Sequence, residues 1–177
     1  RVESGLAPVA SSDARIAEAY SAAKTRGNLI ATYSGHAYAC ADIVVVDVQL
    51  DIAPCEGGGR EYEFSYDHYL SAIEVVARSV TEDTLVVIET TVPPGTTDKV
   101  IRPLFAKWLA ARELDPQRFF LAHSYERVMP GQQYLDSITN FYRVFAGADE
   151  PSSRRARAFF EAFINTAEFP LMEGGTT

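Results

Sequence analysis

Hydrophobic and polar positions follow two different periods along this chain, and the change from one to the other predicts strands and helices in turn. Short runs rich in Val, Ile and Leu are typical of buried strands. They predict strands at 29–33, 43–48, 85–88, 118–122 and 142–146. Between these runs, apolar residues recur every three or four positions, which is typical of helices. They predict helices at 12–26, 36–41, 65–80, 96–108 and 152–163.

Four of the predicted helices begin beside a hydroxyl side chain, which can accept a hydrogen bond from a free amide of the first turn. The expected caps are Ser11 or Ser12, Ser65, Thr96 or Thr97, and Ser152 or Ser153, and Gly27 is expected to end the first helix. The Gly triplet within 52–63 predicts a mobile surface loop, and residues 128–140 are expected to be irregular.

The alternation of strands and helices predicts the fold class. It indicates an α/β protein with a mostly parallel sheet and helices on both faces. A chain of 177 residues with 47% hydrophobic content can bury one proper core. No internal repeat is visible. We therefore expect a single α/β domain over residues 1–177.

Three of the predicted strands end in polar residues. They run into Gln49-Leu-Asp51, Glu89-Thr-Thr91 and His123-Ser-Tyr-Glu126. If the strands are parallel neighbours, their carboxyl ends share one edge of the sheet, where open α/β sheets bind ligands. A lone polar strand end is usually a cap, so the residues alone leave both interpretations open. The crevice is favoured because three such ends occur together.

Composition and charge narrow the classes of partner. A net charge of −8 and a pI near 4.9 argue against nucleic acid and anionic membranes, which need a cationic surface. No apolar run approaches the ~20 residues of a membrane span, and no signal peptide is visible at the N-terminus. A cytoplasmic location is expected.

The cysteines and histidines show no metal-ligand spacing, so no metal site is expected. Cys40 is interpreted as a small core residue and Cys55 as a loop thiol. His36 and His68 fall on different predicted elements, and His123 is interpreted as a polar residue at a strand end.

Three stretches carry a resemblance to a known family. They are Ala41-Asp-Ile-Val-Val-Val, Val86-Val-Ile-Glu-Thr-Thr-Val-Pro-Pro-Gly-Thr-Thr97 and Ser124-Tyr-Glu-Arg-Val-Met-Pro-Gly131. Together they resemble the nucleotide-sugar dehydrogenases, which include the UDP-glucose, GDP-mannose and UDP-N-acetylmannosamine 6-dehydrogenases. The resemblance extends over nearly the whole chain: residues 5–8 match the loop after the family's second strand, and Phe169-Pro-Leu matches the strand before its central helix.

The resemblance implies an NAD-dependent oxidoreductase of polysaccharide biosynthesis. Its members oxidise the C6 alcohol of a nucleotide sugar to the uronic acid, a four-electron reaction that uses two NAD in succession through a cysteine-bound intermediate. Glu126 matches the glutamate that activates water to hydrolyse the thioester. Thr91 matches the threonine that lies beside the nicotinamide and helps to hold that water. A carboxylate at a partly dry strand end suits general base work.

The same resemblance assigns the binding residues. The implied cofactor contacts are Val48, Gln49, Leu50, Thr90, Thr91 and Val92. The implied substrate contacts are Glu126, Arg127, Val128, Met129 and Pro130. The implied partner is a nucleotide sugar, a UDP-sugar most of all, and a homo-oligomer is expected.

Departures from the family pattern qualify this picture. Val48-Gln-Leu-Asp51 stands where the family has Val-Pro-Thr-Pro, so the cofactor contact of that threonine is not carried over. Tyr125 replaces a proline, and Met129-Pro-Gly131 is closer to the dehydrogenases of acetamido sugars.

Two elements of the intact enzyme are missing from the sequence. The Gly-x-Gly-x-x-Gly phosphate cradle is absent, and neither cysteine matches the family's nucleophile. The resemblance therefore implies a partial Rossmann-like fold, the later part of an NAD-binding domain without its first βαβ unit, the central helix or the substrate domain. We expect this chain to be inactive on its own. A non-catalytic α/β interaction or regulatory module that retains the fold stays open as the alternative.

Overall fold

The computed structural model describes residues 11–50, 52–54 and 62–175, which form a five-stranded sheet with flanking helices and a separate two-stranded hairpin. In chain order the elements are α1 (Ala14–Arg26), α2 (His36–Ala39), β1 (Ile43–Val46), β2 (Ile52–Pro54), β3 (Tyr62–Phe64), α3 (Asp67–Ser79), β4 (Leu85–Ile88), a π-helix (Thr97–Ile101), α4 (Arg102–Ala111), a 3₁₀ turn (Pro116–Arg118), β5 (Phe120–Ser124), α5 (Tyr134–Thr139), β6 (Val144–Gly147), α6 (Glu150–Glu161) and β7 (Met172–Glu173).

The large sheet has the strand order β1-β4-β5-β6-β7. β1, β4 and β5 are parallel neighbours, β6 runs antiparallel to β5, and β7 runs parallel to β6. This topology confirms the predicted α/β fold with a mostly parallel sheet. β2 and β3 pair with each other as an antiparallel hairpin.

Helices cover the sheet on both faces, and the residues of β4 show why. All four are buried, as their uninterrupted apolar run predicts. Because successive side chains point to opposite faces, Val86 and Ile88 join a core with residues of α3 and α4. Leu85 and Val87 join a second core with Phe145 and the α6 residue Phe160.

The face that α6 covers is bare at β1. Ile43 and Val45 pair in register with Leu85 and Val87, so they lie on the same face, yet 40% and 45% of their surface is exposed. Helix α1 contributes no buried residue. β1 therefore leaves an apolar surface exposed at this edge of the sheet.

The strand predicted at 29–33 is wrong. These residues form no regular structure, and Leu29, Ile30 and Tyr33 are 42%, 83% and 110% exposed. Their β-branched and aromatic composition favours a strand, but a strand also needs a neighbour to bond with. Within the described residues no strand pairs with this segment.

The predicted helix caps are also corrected. Asp13 caps α1 by accepting from the Arg15 amide, and Asp149 caps α6 by accepting from the Ser152 amide. Thr96 precedes the π-helix without a capping bond, and its hydroxyl instead meets the Tyr66 hydroxyl at 2.8 Å. At α3 the cap position is Tyr66, which makes no side-chain capping bond, although the Ser65 hydroxyl accepts from the Asp67 amide at 3.1 Å. Gly27 ends α1 as predicted, with a left-handed φ of 68°.

Several smaller predictions change at the edges of elements. Cys40 is exposed, so its assignment to the core is wrong. Residues 128–140 contain helix α5, and the segment predicted as a loop at 52–63 contributes β2 and β3. The last strand is at Met172–Glu173 rather than at Phe169-Pro-Leu. The predicted loop at 5–8, the Gly triplet and Cys55 lie outside the described residues. No helix in the described part of the chain is long and apolar enough to cross a membrane.

A polar network fixes α1 to the rest of the domain. The Asp13 carboxylate is almost fully buried and accepts bonds from the Arg15 guanidinium at 2.8 Å and from the Leu135 amide at 3.0 Å. Arg15 also donates to both oxygens of Asp136 on α5. The bond from Arg15, more than any other contact, lowers the pKa of Asp13 to about 2.

Replacing Asp13 with asparagine is expected to lower the free energy of unfolding near neutral pH and to change it little near pH 2. The pKa of Asp13 in the folded chain, about 2, lies below its ordinary value of 3.8, so the charged form is the one that folding favours. Its contribution is complete above about pH 4 and is lost as the pH falls towards 2. Urea unfolding at several pH values measures it.

Asp98→Asn is the control, because Asp98 is an exposed carboxylate paired with Arg102 on neighbouring helical turns. Equal destabilisation by Asp13→Asn at neutral and at acid pH would contradict the assignment.

Candidate functional site

The carboxyl ends of β1, β4 and β5 meet at one edge of the sheet. Val46 pairs with Ile88, and Ile88 pairs with His123, so the three strands end nearly level. The three polar strand ends predicted from the sequence therefore lie side by side. Burial raises the pKa of Glu89, and the negative charges of nearby Asp47 and Glu126 raise it further.

Thr90 joins the ends of β1 and β4. Its hydroxyl donates to the Val48 carbonyl at 2.6 Å and accepts from the Val48 amide at 3.1 Å. Thr90 is only 6% exposed, and the buried Tyr69 lies beneath it. The pKa of Tyr69 is raised to about 12 because burial raises it by more than the Thr90 hydroxyl lowers it. This threonine is thus held by the scaffold.

Thr91 lies two residues before a tight turn, residues 93–96, that leads into the π-helix. Its side chain is exposed, and the Thr96 amide donates to the Pro93 carbonyl at 3.1 Å to close the turn. Pro94 and Gly95 occupy the central positions, and Gly95 has a φ of 85°, which a type II turn requires and glycine adopts without strain. π-helical turns are frequent at functional sites. Thr91 is therefore an exposed residue that lies just before a well-defined turn.

Glu89 and Arg143 form a buried ion pair behind this edge, with an N–O distance of 3.3 Å. The side chains are 15% and 4% exposed. Burial raises the pKa of Glu89, and the positive charge of Arg143 opposes that rise. Burial lowers the pKa of Arg143, and the charges of Glu89 and Glu126 oppose that change. Arg127 adds a second cation nearby.

The segment after β5 carries the predicted catalytic and substrate residues. Glu126 is half-buried and accepts a hydrogen bond from the Val128 amide. The Met129 amide donates to the Ser137 hydroxyl at 2.9 Å, which ties the segment to α5. Met129 is about half exposed, Pro130 is exposed, and the exposed Arg127 guanidinium lies 4.6 Å from the centre of the Phe141 ring.

A small cavity of about 120 Å³ opens beside His123 and Tyr125. Val144, Phe145, Ala146, Gly174 and Gly175 complete its lining. Burial lowers the pKa of His123, and among the described residues its Nδ1 atom has no hydrogen-bond partner. His123 is thus half-buried at the end of β5, beside this small cavity.

The structure separates the residues implied as cofactor contacts into two groups. Gln49 and Thr91 are exposed, whereas Val48 and Val92 are half-buried and pack against the core. Leu50 and Thr90 are buried, and Leu50 packs in the core. Their side chains therefore act as scaffold at this edge.

Part of an NAD site fits this set of residues. The exposed hydroxyl of Thr91 and the amide of Gln49 can meet the polar nicotinamide end of the cofactor. The 177-residue sequence contains no Gly-x-Gly-x-x-Gly motif to hold the pyrophosphate. In the described part of the chain, no group of acidic, histidine or cysteine residues could hold a metal ion.

Sequence reasoning missed Arg143. It lies within the largely apolar run Tyr142-Arg-Val-Phe-Ala146, whose pattern predicts a plain strand. A charged residue inside such a run must find an opposite charge when it is buried. That rule, applied together with Glu89 after β4, is the signal that could have paired them.

Comparison with known proteins agrees with this geometry. The model of the UDP-glucose/GDP-mannose dehydrogenase family, NAD binding domain, matches residues 5–164. The chain is 30% identical over 124 residues to a UDP-N-acetyl-D-mannosamine dehydrogenase from Methanocaldococcus jannaschii, a match over 70% of this chain and 26% of the relative. The chain thus spans about a quarter of the length of this relative.

Solved structures of similar fold include two archaeal enzymes. An NDP-N-acetyl-D-galactosaminuronic acid dehydrogenase from Methanosarcina mazei superposes with a TM-score of 0.82 at 22% identity, over 97% of this chain and 34% of the other. A UDP-D-ManNAc dehydrogenase from Pyrococcus horikoshii superposes with a TM-score of 0.80 at 24% identity, over 99% and 38%. At these identities the likeness shows the fold.

Proposed function

We propose, because this chain belongs to the UDP-glucose/GDP-mannose dehydrogenase family, that it forms the later part of the NAD-binding domain of a nucleotide-sugar 6-dehydrogenase. The family match over residues 5–164 carries this proposal, and NAD is the cofactor of the matched domain. The level ends of β1, β4 and β5 support it, because they provide the crevice in which open α/β sheets bind ligands.

The proposed substrate is a UDP-sugar with an N-acetyl group. The relatives of similar sequence include UDP-N-acetyl-D-mannosamine dehydrogenases from archaea and bacteria. The motif Met129-Pro-Gly131 resembles that of acetamido-sugar dehydrogenases and supports the same choice. Arg127, Val128, Met129 and Pro130 are the proposed contacts to the nucleotide sugar, on a segment that Ser137 holds in place.

Glu126 is proposed as the general base of the hydrolytic step. NAD would accept the hydrides that leave C6 in the two oxidations. Glu126 takes a proton from water as the water oxygen attacks the carbonyl carbon of the thioester, and the cysteine sulfur leaves as the carbon–sulfur bond breaks. Thr91, on the neighbouring strand end, holds that water through its exposed hydroxyl. The half-buried position of Glu126, beside Glu89 and Arg143, supports a base that is partly shielded from solvent.

The cysteine of this reaction is not assigned within the chain. Cys40 is exposed after α2, and Cys55 lies outside the described residues. The intact enzyme is proposed to act in the cytoplasm as a homo-oligomer, and the exposed apolar face of β1 supports association with further protein surface.

The purified chain is expected to form no NADH when it is incubated with NAD and a panel of UDP- and GDP-sugars. The reaction needs a pyrophosphate cradle and a cysteine nucleophile, and this sequence matches neither to the family. Absorbance of NADH measures the reaction, with an active UDP-N-acetylmannosamine dehydrogenase as the positive control. Robust NADH production that depends on the chain would overturn the expected inactivity.

The coding sequence on both sides of this segment separates the enzyme from a non-catalytic module. A glycine-rich fingerprint upstream and a cysteine downstream would support the dehydrogenase, because they supply the two missing parts. Unrelated flanking sequences would refute it. The module alternative has no observation in its favour beyond those missing parts.

A further inference from the structure

Arg143 reaches the candidate site because β6 runs antiparallel to β5. Ser124 at the end of β5 pairs with Phe145 near the beginning of β6. The residue before β6 therefore lies at the edge where β4 and β5 end. Only 4% of the Arg143 side chain is exposed, and a buried guanidinium is costly unless its donors find acceptors and its charge is balanced.

One nitrogen of Arg143 holds two different parts of the site. Its Nη1 atom donates to the Tyr125 carbonyl at 2.7 Å and to the Glu89 carboxylate at 3.3 Å. The Tyr125 amide donates to the Val144 carbonyl at 3.4 Å. The backbone of Tyr125 is thus bonded at both its amide and its carbonyl, while its side chain is 52% exposed.

The carbonyl that Arg143 holds belongs to the peptide unit that leads into Glu126. The orientation of that peptide plane determines where the Glu126 side chain begins. Beyond it, the Glu126 carboxylate accepts from the Val128 amide, and the Met129 amide donates to Ser137. A shift at Tyr125 would therefore move Glu126 and disturb both of these later bonds.

We propose that Arg143 is a positioning residue, which fixes Glu126 through the Tyr125 carbonyl while Glu89 balances its charge. The inference rests on the proposed function for the catalytic meaning of Glu126. The part of the inference that concerns the position of Glu126 can be tested without measuring enzyme activity. A purely structural ion pair would stabilise the sheet without controlling the segment from 125 to 129.

The charged groups that face this pair come from every strand end of the edge. Asp47 follows β1, Glu126 and Arg127 follow β5, and both acidic groups raise the pKa of Glu89. Arg127 lowers the pKa of Arg143. Loss of the Arg143 charge is therefore expected to raise the pKa of Glu89 further, because that positive charge opposes the rise that burial causes.

The test uses the chain itself and compares Arg143→Met, Arg143→Lys and wild type. Amide hydrogen exchange of Val128 and Met129 and a ¹³C titration of the Glu89 carboxyl are the readouts. Arg143→Met is expected to speed exchange at both amides about tenfold or more and to raise the pKa of Glu89. Arg143→Lys keeps the charge, so it is expected to restore most of the Glu89 titration and only part of the exchange protection.

Two controls separate positioning from lost stability. Leu109→Ala removes a fully buried side chain in the opposite core, and Arg157→Met removes an exposed arginine paired with Glu173. Exchange at Val128 and Met129 no faster in Arg143→Met than in a Leu109→Ala chain of equal stability would overturn the inference. If Arg143→Met fails to fold, Arg143→Lys decides, because full protection of both amides in that variant would also overturn it.

A kinetic measurement in the protein extended by its own flanking coding sequence tests the catalytic consequence. Arg143→Lys is expected to lower kcat about tenfold or more with little change in the KM for NAD. Unchanged kcat together with faster exchange would overturn the catalytic consequence alone. Absence of any dehydrogenase activity in the extended wild-type protein would instead refute the proposed function and leave the geometric result intact.

Discussion

Replacing Glu126 with glutamine is expected to lower NADH formation by about 10²–10⁴-fold in the protein that carries this chain with its flanking coding sequence, the range typical of a lost general base. Glutamine has nearly the same shape, and its amide oxygen can still accept the bond that the Val128 amide donates to Glu126. It cannot take a proton from water. Loss of activity would therefore report the missing base rather than a displaced loop.

The measurement is kcat at saturating NAD and UDP-sugar, followed by NADH absorbance. Glu161→Gln is the matched control, because Glu161 is an exposed glutamate at the end of α6. Hydrogen exchange at Val128 in the Glu126→Gln variant would verify that the segment keeps its structure. A kcat within about threefold of wild type would contradict the role of Glu126 as the base.

Replacing Gly147 with alanine is expected to destabilise the domain strongly. A Cβ atom at this position would lie 2.3 Å from the Ser153 amide nitrogen and 2.7 Å from its Cα atom, which is closer than non-bonded atoms can approach. The Gly147 amide also donates to the Ser153 hydroxyl at 3.1 Å, so α6 and β6 are fixed close together. Relieving the clash requires a shift of one backbone against the other, and overpacking of this kind costs about 1–3 kcal/mol or more.

Urea unfolding measures this effect, with Gly175→Ala as the control because no atom lies within 4 Å of a Cβ built there. The two variants make the same chemical change in the unfolded chain, so their difference reports the contact with Ser153. Free energies of unfolding within about 0.5 kcal/mol of each other would contradict the close approach.

The sheet was the most predictable part of this fold. The uninterrupted apolar run of β4 has no polar position to place on a solvated face, so burial on both sides is the arrangement that it favours. The polar residues after the three parallel strands then follow at one edge because parallel strands with crossover helices share their direction.

The failed strand at 29–33 shows what local pattern cannot supply. Ile30 and Tyr33 favour extended structure by their side chains, yet a strand gains most of its stability from bonds and packing with a neighbour. The exposed face of Ile43 and Val45 on β1 has the same origin, since apolar composition alone cannot provide the surface that covers it.

The helix caps show how closely spaced residues compete. Asp13 follows Ser12 directly, and Asp149 lies three residues before Ser152, so each helix had two side-chain types suited to the same task. At α6 the serines serve the sheet instead: the Leu121 amide donates to the Ser152 hydroxyl, and the Gly147 amide donates to Ser153. Tertiary contacts of this kind are not visible in a single local segment.

The candidate site was predictable only where strand ends carried it. Glu126 and Thr91 follow strands that run towards the edge, so their common location could be inferred. Arg143 lies before a strand, and it reaches the same edge only because β6 reverses. An apolar run has the same pattern in either direction, so the sequence could not reveal this residue's place in the site.

The reversal of β6 also decides how the crevice obtains its positive charge. Had β6 run parallel to β5, the helix after it would begin at the crevice edge, and the partial positive charge of its free amides would face an anionic ligand there. Instead, α6 begins at the opposite edge, where the Ala148 amide bonds the Leu121 carbonyl and Asp149 caps the helix. Of the buried charges that the structure describes at this edge, the positive one is the Arg143 side chain, so one side chain supplies the positive charge that the backbone of a helix would otherwise have supplied.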